Sequence, residues 1–192
     1  MLDKEFYRRD SEEVAKDLLG KILVHDSGDK RVSGKIVEVE AYYGNKKKKD
    51  PASHAANGKT DRNKVMFETY GCAYVYLCYG VHELFNITTN FVGEPGAVLV
   101  RALEPEDGIK IMKERRRIED LKKLTSGPGK VTEALNITRD YNGIDMTKGD
   151  LYVERPKENN EFSIEKSERI GISEGKGLEL RFFIEGNDFI SQ

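Results

Sequence analysis

The stretch Ile36-Val37-Glu38-Val39-Glu40-Ala41-Tyr42 lies in the middle of a predicted strand that covers residues 31–43. Successive side chains of a strand point to opposite faces of a sheet, so Glu38, Glu40 and Tyr42 share one face. The intervening positions are all apolar, and we expect that face to be packed. The carboxylate face meets either solvent or a polar cleft, and the spacing alone favours two solvated glutamates on an open sheet face.

Further strands and helices extend outward from this stretch. Strands are predicted over 21–25, 73–79, 84–90, 97–103, 151–154, 169–172 and 180–185. Helices are predicted over 11–19, 105–124 and 130–135, and residues 44–64 form a long polar loop. We therefore expect one α+β domain over residues 1–192, with a mostly antiparallel, curved sheet, surrounding helices and a protruding β-hairpin.

Composition limits the classes of protein to consider. The chain has 192 residues, 32 basic and 34 acidic side chains, and no apolar run of membrane-spanning length. Its first residues lack the pattern of a secretory signal, so we expect an intracellular protein that does not enter a membrane. Two cysteines, Cys72 and Cys78, are too few for a zinc quartet, and an intracellular chain does not need to pair them.

The near-zero net charge conceals a gradient along the chain. Residues 45–64 carry a net charge of +5, residues 110–123 carry +4 and residues 150–192 carry −4. A local cationic region can follow a polyanion even on a slightly acidic protein. A solvated helix face is the favoured interpretation for 110–123, whereas a solvated loop and a loop that contacts phosphates of a polyanion remain equally open for the run Lys46–Lys49.

Aromatic residues concentrate around one predicted hairpin. Tyr74 and Tyr76 share a strand face, and core packing is the expected role of one of them. Tyr79, Val81 and His82 fall at the hairpin tip, where apolar side chains are exposed. Exposed apolar residues at such a tip suggest a wedge or an anchor.

Two motifs carry weaker signals. The segment Gly127-Pro128-Gly129-Lys130 lacks the spacing of a P-loop, and we interpret it as a helix start that accepts at most one phosphate. The histidines His25, His54 and His82 have no metal-ligand spacing with one another or with the cysteines, so no metal site and no cofactor are predicted.

Several blocks, in one order along nearly the whole chain, resemble the alkyladenine (3-methyladenine) DNA glycosylase family. The blocks are residues 37–44, 50–55, 58–63, 73–80, 85–87, 98–105, 126–130, 169–172 and 180–184. The resemblance implies a repair enzyme whose partner is double-stranded DNA containing damaged purines, and we expect a monomer because the enzyme acts at one duplex site. The implied substrates are 3-methyladenine, 7-methylguanine, hypoxanthine and ethenoadenine.

The resemblance also implies a base pocket, because a base in the stack must be rotated out before an enzyme can act on it. Tyr79 matches the residue that intercalates in its place. Tyr42 and Tyr76 match the walls of the stacking slot, His54 matches the residue that closes it, and Asn86 matches the residue that crowds the exocyclic amine of guanine. The expected DNA contacts are Val81, His82, Thr60, Arg62 and Lys130.

For the hydrolysis, Glu40 matches the general base that activates a water molecule. Arg101 and the main-chain carbonyl of Ile170 match the other partners of that water. No lysine matches a nucleophile, so the resemblance implies a monofunctional enzyme that leaves an abasic site without cutting the strand.

Three alternatives differ in class. A non-catalytic damaged-DNA binding module would keep all its function in a Glu40→Gln variant. A small-molecule hydrolase or transferase on the same sheet face would not depend on DNA or on Tyr79. A metal-dependent nuclease built on Glu38 and Glu40 would be inactivated by a chelator.

Overall fold

One antiparallel sheet dominates the computed structural model, which describes residues 1–44, 50–158 and 161–191. Its strands are β1 (Ile22–Asp26), β2 (Arg31–Tyr43), β3 (Ala73–Cys78), β4 (His82–Phe91), β5 (Glu94–Pro105), β6 (Leu151–Glu154), β7 (Ile164–Ser167) and β8 (Arg181–Ile184). The helices are α1 (Lys4–Tyr7), α2 (Ser11–Leu18), α3 (Lys64–Glu68), α4 (Ile109–Arg116) and α5 (Pro128–Leu135), with short 3₁₀ turns at Leu121–Lys123 and Arg139–Tyr141. The α+β prediction is confirmed.

The strand β2 is the centre of the sheet. The spatial order is β3-β4-β5-β2-β1-β6, and β8 pairs with both β2 and β7. On the edge of β2 away from β5, the first half pairs with β1 and the second half with β8, where Glu38 faces Phe183 and Glu40 faces Arg181. Both glutamates therefore lie on a strand that has neighbours on each side, and the sheet curls around them.

The pairing of β2 with β5 is irregular beside the glutamates. Ile36 pairs with Leu103, but Glu38 already pairs with Ala102, so the register shifts between them. A bulge of this kind bends a strand and increases its local twist. The register shifts on both sides of Glu38, between Ile36 and Glu38 and between Glu38 and Val39, so the irregularity includes Glu38 and lies just before Glu40.

The apolar face of β2 packs as predicted. Val37, Val39 and Ala41 are fully buried and belong to the main core, together with Val14 and Leu18 of α2. Burying each such aliphatic side chain contributes about 1.5–3 kcal/mol. This packing fixes which face of β2 carries Glu38, Glu40 and Tyr42.

The predicted hairpin consists of β3 and β4. Its two central turn residues, Tyr79 and Gly80, have φ angles of 51° and 74°. The N–H of Val81 donates to the carbonyl of Cys78 at 3.2 Å. Positive φ at both central positions is typical of type I′ turns, whose twist matches that of the flanking strands. Glycine adopts this conformation without steric cost, whereas Tyr79 does not.

Two predicted elements are wrong in extent or type. The helix predicted over 105–124 is limited to Ile109–Arg116, because Arg117 takes a left-handed conformation with a φ of 54°. Residues 169–172 do not form a strand; β7 precedes them and pairs with β8 instead. Beyond β8, the side chain of Arg169 donates to the carbonyl of Ala41 at 3.0 Å, where a strand would have supplied a backbone group.

The predicted loop over 44–64 is confirmed where the structure describes it, except that α3 begins at Lys64. Gly44 allows the loop to pass close to the sheet, because a Cβ there would lie 2.3 Å from the Cβ of Ala55. The run Lys46–Lys49 lies outside the described residues. None of the helices in the described ranges combines the length and the apolar character needed to cross a bilayer.

Candidate active site

A cleft of about 850 Å³ opens where β2, β3 and β4 meet the loops around them. The β3–β4 hairpin, the loop before α3, the segment after Arg169 and the start of α5 contribute its lining. The lining includes these predicted site residues: Tyr42, His54, Arg62, Tyr76, Tyr79, His82, Asn86, Arg101, Lys130 and Ile170. Residues from opposite ends of the chain thus meet in one place.

Glu40 lies directly beneath this cleft and has no solvent exposure. Its Oε1 accepts hydrogen bonds from the N–H of Ile170 at 2.8 Å and is 3.1 Å from a terminal guanidinium nitrogen of Arg101. Its Oε2 accepts from the hydroxyl of Tyr42 at 2.7 Å. A carboxylate offers about four acceptor positions, so one position on Oε2 remains for a further donor.

These contacts overturn one expectation and add a contact that was not predicted. The interpretation of Glu38 and Glu40 as solvated side chains is wrong, because both are fully buried. The N–H of Ile170 contacts Glu40, while the role of the Ile170 carbonyl as a partner of the water stays a prediction.

Glu38 holds the other side of Arg101. Its Oε1 accepts from Arg101 Nε at 3.1 Å and from Arg181 Nε at 2.6 Å. Ser191 contributes its backbone N–H to Oε2 and its hydroxyl to Oε1. Glu38 is therefore an anchor for two arginines, whereas Glu40 contacts the residues that line the cleft.

Tyr42 forms one wall of the cleft. Burial and the neighbouring Glu40 carboxylate raise the pKa of its hydroxyl, so the group stays protonated and donates. The guanidinium carbon of Arg169 lies 4.5 Å from the ring centroid. The ring is thus fixed both at its hydroxyl and over one face.

His54, Tyr74 and Tyr76 form a cluster of ring contacts that also lines the cleft. His54 Nδ1 lies 2.9 Å from the Tyr74 hydroxyl, and its ring meets that of Tyr76 edge-on at 4.5 Å. The guanidinium carbon of Arg62 lies 4.9 Å from the ring centroid of Tyr76. Burial, and to a lesser degree Arg62, lowers the pKa of His54, which favours a neutral imidazole. The predicted core role fits Tyr74, which is buried, while Tyr76 is partly exposed and lines the cleft.

Asn86 lies on β4 opposite Tyr74 and is almost fully buried. Its Nδ2 donates to the carbonyl of Tyr74 at 3.1 Å. This hydrogen bond holds the amide at the wall of the cleft.

The remaining predicted residues surround the opening. Tyr79 is 88% exposed and Val81 is 71% exposed at the hairpin tip. Lys130 at the start of α5 contacts the hydroxyl of Ser126 at 3.2 Å. Thr60 is exposed in the loop before α3, and neither Thr60 nor Val81 lines the cleft itself.

Sequence reasoning missed the residues that hold the loop carrying His54. The buried Asn63 donates to the carbonyls of His54 and Gly58 at 2.8 and 2.9 Å and accepts from the N–H of Thr60 at 2.6 Å. A buried ion pair, Asp50–Arg169, joins the same loop to the segment that carries Ile170. Both lie in blocks that match the family, but no local spacing indicates a contact between residues so far apart in the chain.

Within the described ranges, no three His, Cys, Asp or Glu side chains come together in a way that could hold a metal ion. Cys72 and Cys78 are free thiols.

An antiparallel sheet that curls around a buried carboxylate, beneath a cleft with aromatic walls, suits a protein that binds a flat ligand. Comparison with known proteins gives the class: residues 5–188 match the family model of methylpurine-DNA glycosylase, and the chain belongs to this family of DNA repair glycosylases.

Individual relatives agree with this assignment. A protein of Methanoculleus marisnigri is 45% identical over 100% of this chain and 98% of its own length. One of Carboxydothermus hydrogenoformans is 46% identical over 100% of this chain and 99% of its own length. Both carry the provisional name 3-methyladenine DNA glycosylase.

Proposed function

We propose that this protein removes alkylated and deaminated purines from double-stranded DNA by hydrolysing the N-glycosidic bond, and that it leaves the strand intact. The observation that carries the proposal is Glu40, a buried carboxylate held by two hydrogen bonds and an ion pair beneath an aromatic cleft. The proposed substrates are 3-methyladenine, 7-methylguanine, hypoxanthine and ethenoadenine.

Binding begins with opening of the duplex. Unstacking a base costs a few kcal/mol, and an apolar side chain that fills the gap offsets part of this cost. Tyr79 is the exposed aromatic residue at the hairpin tip, beside the cleft. In the proposal Tyr79 occupies the vacated position, with Val81, His82, Thr60, Arg62 and Lys130 contacting the strands around it.

The flipped base then stacks between Tyr42 and Tyr76. Aromatic faces favour electron-poor rings, and alkylated purines are electron-poor. His54 closes the slot in its neutral form, and Asn86 discriminates against guanine by crowding its exocyclic amine. Such discrimination acts through an unfavourable contact with the normal base.

In the chemical step the oxygen of a water molecule bonds to C1′ of the sugar while the bond between C1′ and the base nitrogen breaks. The electron pair leaves with the base, and the proton of the water passes to Glu40. Arg101 and Ile170 orient Glu40 and the water. A cationic alkylated base leaves as a neutral molecule and needs no acid. Hypoxanthine or ethenoadenine leaves as an anion, which then takes up a proton from the solvent.

The test uses purified protein with EDTA and a duplex that contains one hypoxanthine, and in parallel methylated DNA. Released base and alkali-labile sites are measured for the wild type and for Glu40→Gln. Release by the wild type alone, without direct strand cleavage, is the expected result. Tight duplex binding without release would instead favour a non-catalytic binding module, and strand cleavage that occurs only when EDTA is left out would favour a metal-dependent nuclease.

A further inference from the structure

Asp50 and Arg169 form an ion pair whose side chains are both without solvent exposure. Two guanidinium nitrogens of Arg169 donate to the two carboxylate oxygens of Asp50 at 2.6 and 2.7 Å. Although burial opposes the charge, the hydrogen bonds that Arg169 donates to Asp50 raise the pKa of Arg169. A buried pair of this kind is no more stabilising than well-packed apolar residues of similar volume. Its place in the fold therefore calls for a reason other than stability.

The pair connects three segments that each carry a site residue. Arg169 donates to the carbonyl of Ala41, which precedes Tyr42. Asp50 accepts from the N–H of Tyr43 at 3.1 Å, on the other side of Tyr42, and begins the loop that carries His54. Arg169 itself precedes Ile170, whose N–H holds Glu40.

Arg169 also supports the ring of Tyr42. Its guanidinium carbon lies 4.5 Å from the ring centroid. Tyr42 lines the cleft, whereas the Arg169 side chain is shielded from solvent, so the guanidinium covers the ring face that is turned away from the cleft. A planar guanidinium stacks on an aromatic ring in a way that an ammonium group does not.

We propose that Asp50 and Arg169 are positioning residues for the stacking slot: they fix the ring of Tyr42 from behind and hold Ile170 against Glu40. Neither residue contacts the base. The inference rests on the proposed function, because it concerns the slot that this function requires. Supporting residues that lock a reactive group typically change activity by about 10- to 100-fold when they are altered.

The main test is Arg169→Lys, which keeps a cation beside Asp50 but loses the planar fork. We expect release of hypoxanthine from duplex at saturating enzyme to fall by about 10- to 100-fold. The dissociation constant for undamaged duplex should stay within about twofold, since Arg169 is buried away from the surface. The melting temperature should change little.

A spectroscopic measurement separates positioning from general damage to the fold. A duplex that contains ethenoadenine is bound to Glu40→Gln, in which hydrolysis is blocked, and the fluorescence of the base is recorded. Stacking against Tyr42 should quench it. The double variant Glu40→Gln/Arg169→Lys should show weaker quenching at the same occupancy.

Arg31→Lys is the matched control. Arg31 pairs with Asp107 and Glu154 at 3.1 and 2.8 Å, at the opposite end of β2 from Tyr42. The Arg31→Lys variant should leave both base release and fluorescence quenching unchanged. If Arg169→Lys fails to fold, the paired replacement Asp50→Asn/Arg169→Met removes both charges together, and the same loss of release and quenching is expected.

The outcomes distinguish the inference from the proposed function. Base release by the wild type with an equal rate for Arg169→Lys would overturn the positioning role and leave the function standing. No release by the wild type, with quenching that Arg169→Lys weakens, would overturn the hydrolysis and leave the positioning role standing. Equal losses in Arg169→Lys and Arg31→Lys would also overturn the inference.

Discussion

Different kinds of interaction position Glu40 at the floor of the cleft and Tyr79 at the tip of the hairpin. Glu40 is fully buried, and each of its contacts is a hydrogen bond or ion pair from a residue distant in sequence or on the same strand. Tyr79 is 88% exposed, and its position is determined by a two-residue turn. The floor is organised before any DNA arrives, whereas the tip can gain its contacts only from the partner. Substitutions should therefore separate chemistry from DNA opening.

The largest effect is expected at Glu40, in comparison with Glu38 on the same strand. Glu40→Gln should reduce base release by about 10²–10⁴-fold and leave duplex binding intact, since that is the typical cost of losing a general base, the proposed role of Glu40. Glu38→Gln removes the charge that faces Arg101 and Arg181. Breaking such a buried ion pair costs about 3–5 kcal/mol, so we expect Glu38→Gln mainly to lower the free energy of unfolding.

Single-turnover release and urea unfolding of both variants check this pair of predictions. A Glu38→Gln protein that is as stable as the wild type but as inactive as Glu40→Gln would contradict this division, in which Glu38 anchors two arginines and Glu40 is the proposed general base.

At the hairpin tip, Tyr79→Gly should uncouple stability from activity. Glycine removes the strain of a left-handed tyrosine, which is worth about 1–2 kcal/mol, while it also removes the proposed wedge. We expect a melting temperature equal to or above that of the wild type, and base release from duplex about 10- to 100-fold lower, because a few kcal/mol of unstacking is no longer offset.

Tyr79→Ser serves as the comparison, since it removes the ring without supplying glycine's freedom. A substrate with the lesion in a mismatch or in a single strand should recover part of the activity of both variants. Equal loss on every substrate would argue against a role in opening the duplex.

A smaller effect is expected for Tyr42→Phe, which keeps the wall but removes its hydrogen bond to Oε2 of Glu40. Hydrogen bonds to charged groups contribute about 1.5–3 kcal/mol, so base release should fall by about tenfold or somewhat more. Quenching of bound ethenoadenine should be unchanged, because the ring remains. Loss of quenching would show that the hydroxyl, and not Arg169, holds the ring in place.

The same contrast explains which features are predictable from sequence. The hairpin tip is encoded locally: Tyr79 and Gly80 follow a strand in which Tyr74 and Tyr76 alternate with other residues, and the structure confirms the turn and its exposure. The apolar face of β2 was predictable for the same reason. Alternation determines which residues share a face, but it does not determine whether that face is covered, so the solvated interpretation of Glu38 and Glu40 was wrong.

The buried polar network was not predictable from local pattern. Asp50 and Arg169 meet across a sequence separation of 119 residues. The composition of residues 169–172 is typical of a strand, but the structure has no strand there. Instead, the side chain of Arg169 donates to the backbone carbonyl of Ala41 on β2. Ser191 contacts Glu38 through its backbone and hydroxyl, and no motif marks a serine for that contact. Resemblance to the family supplied the site residues that spacing alone left open.

The smallest expected effect concerns His54 and pH. Burial, and secondly Arg62, lowers the pKa of His54 below its usual value of about 6.5. Below a pH of about 6.5, the unfolded chain binds a proton at His54 that the folded protein does not bind. The stability of the folded protein therefore falls as the pH decreases from about 6.5. Relative to His54→Gln, the wild type should lose melting temperature between pH 7 and pH 5, and parallel curves would contradict this.

The two causes of that shift can be separated in the same measurement. Arg62→Gln removes the charge near His54 but leaves the ring in its contacts with Tyr74 and Tyr76. Because burial is the larger cause, Arg62→Gln should flatten the pH dependence only in part. Complete loss of the slope would show that the cation near Tyr76, rather than the packed aromatic slot, keeps the imidazole neutral. The charge state of His54, the proposed closing residue of the slot, would then depend on a side chain proposed to contact DNA.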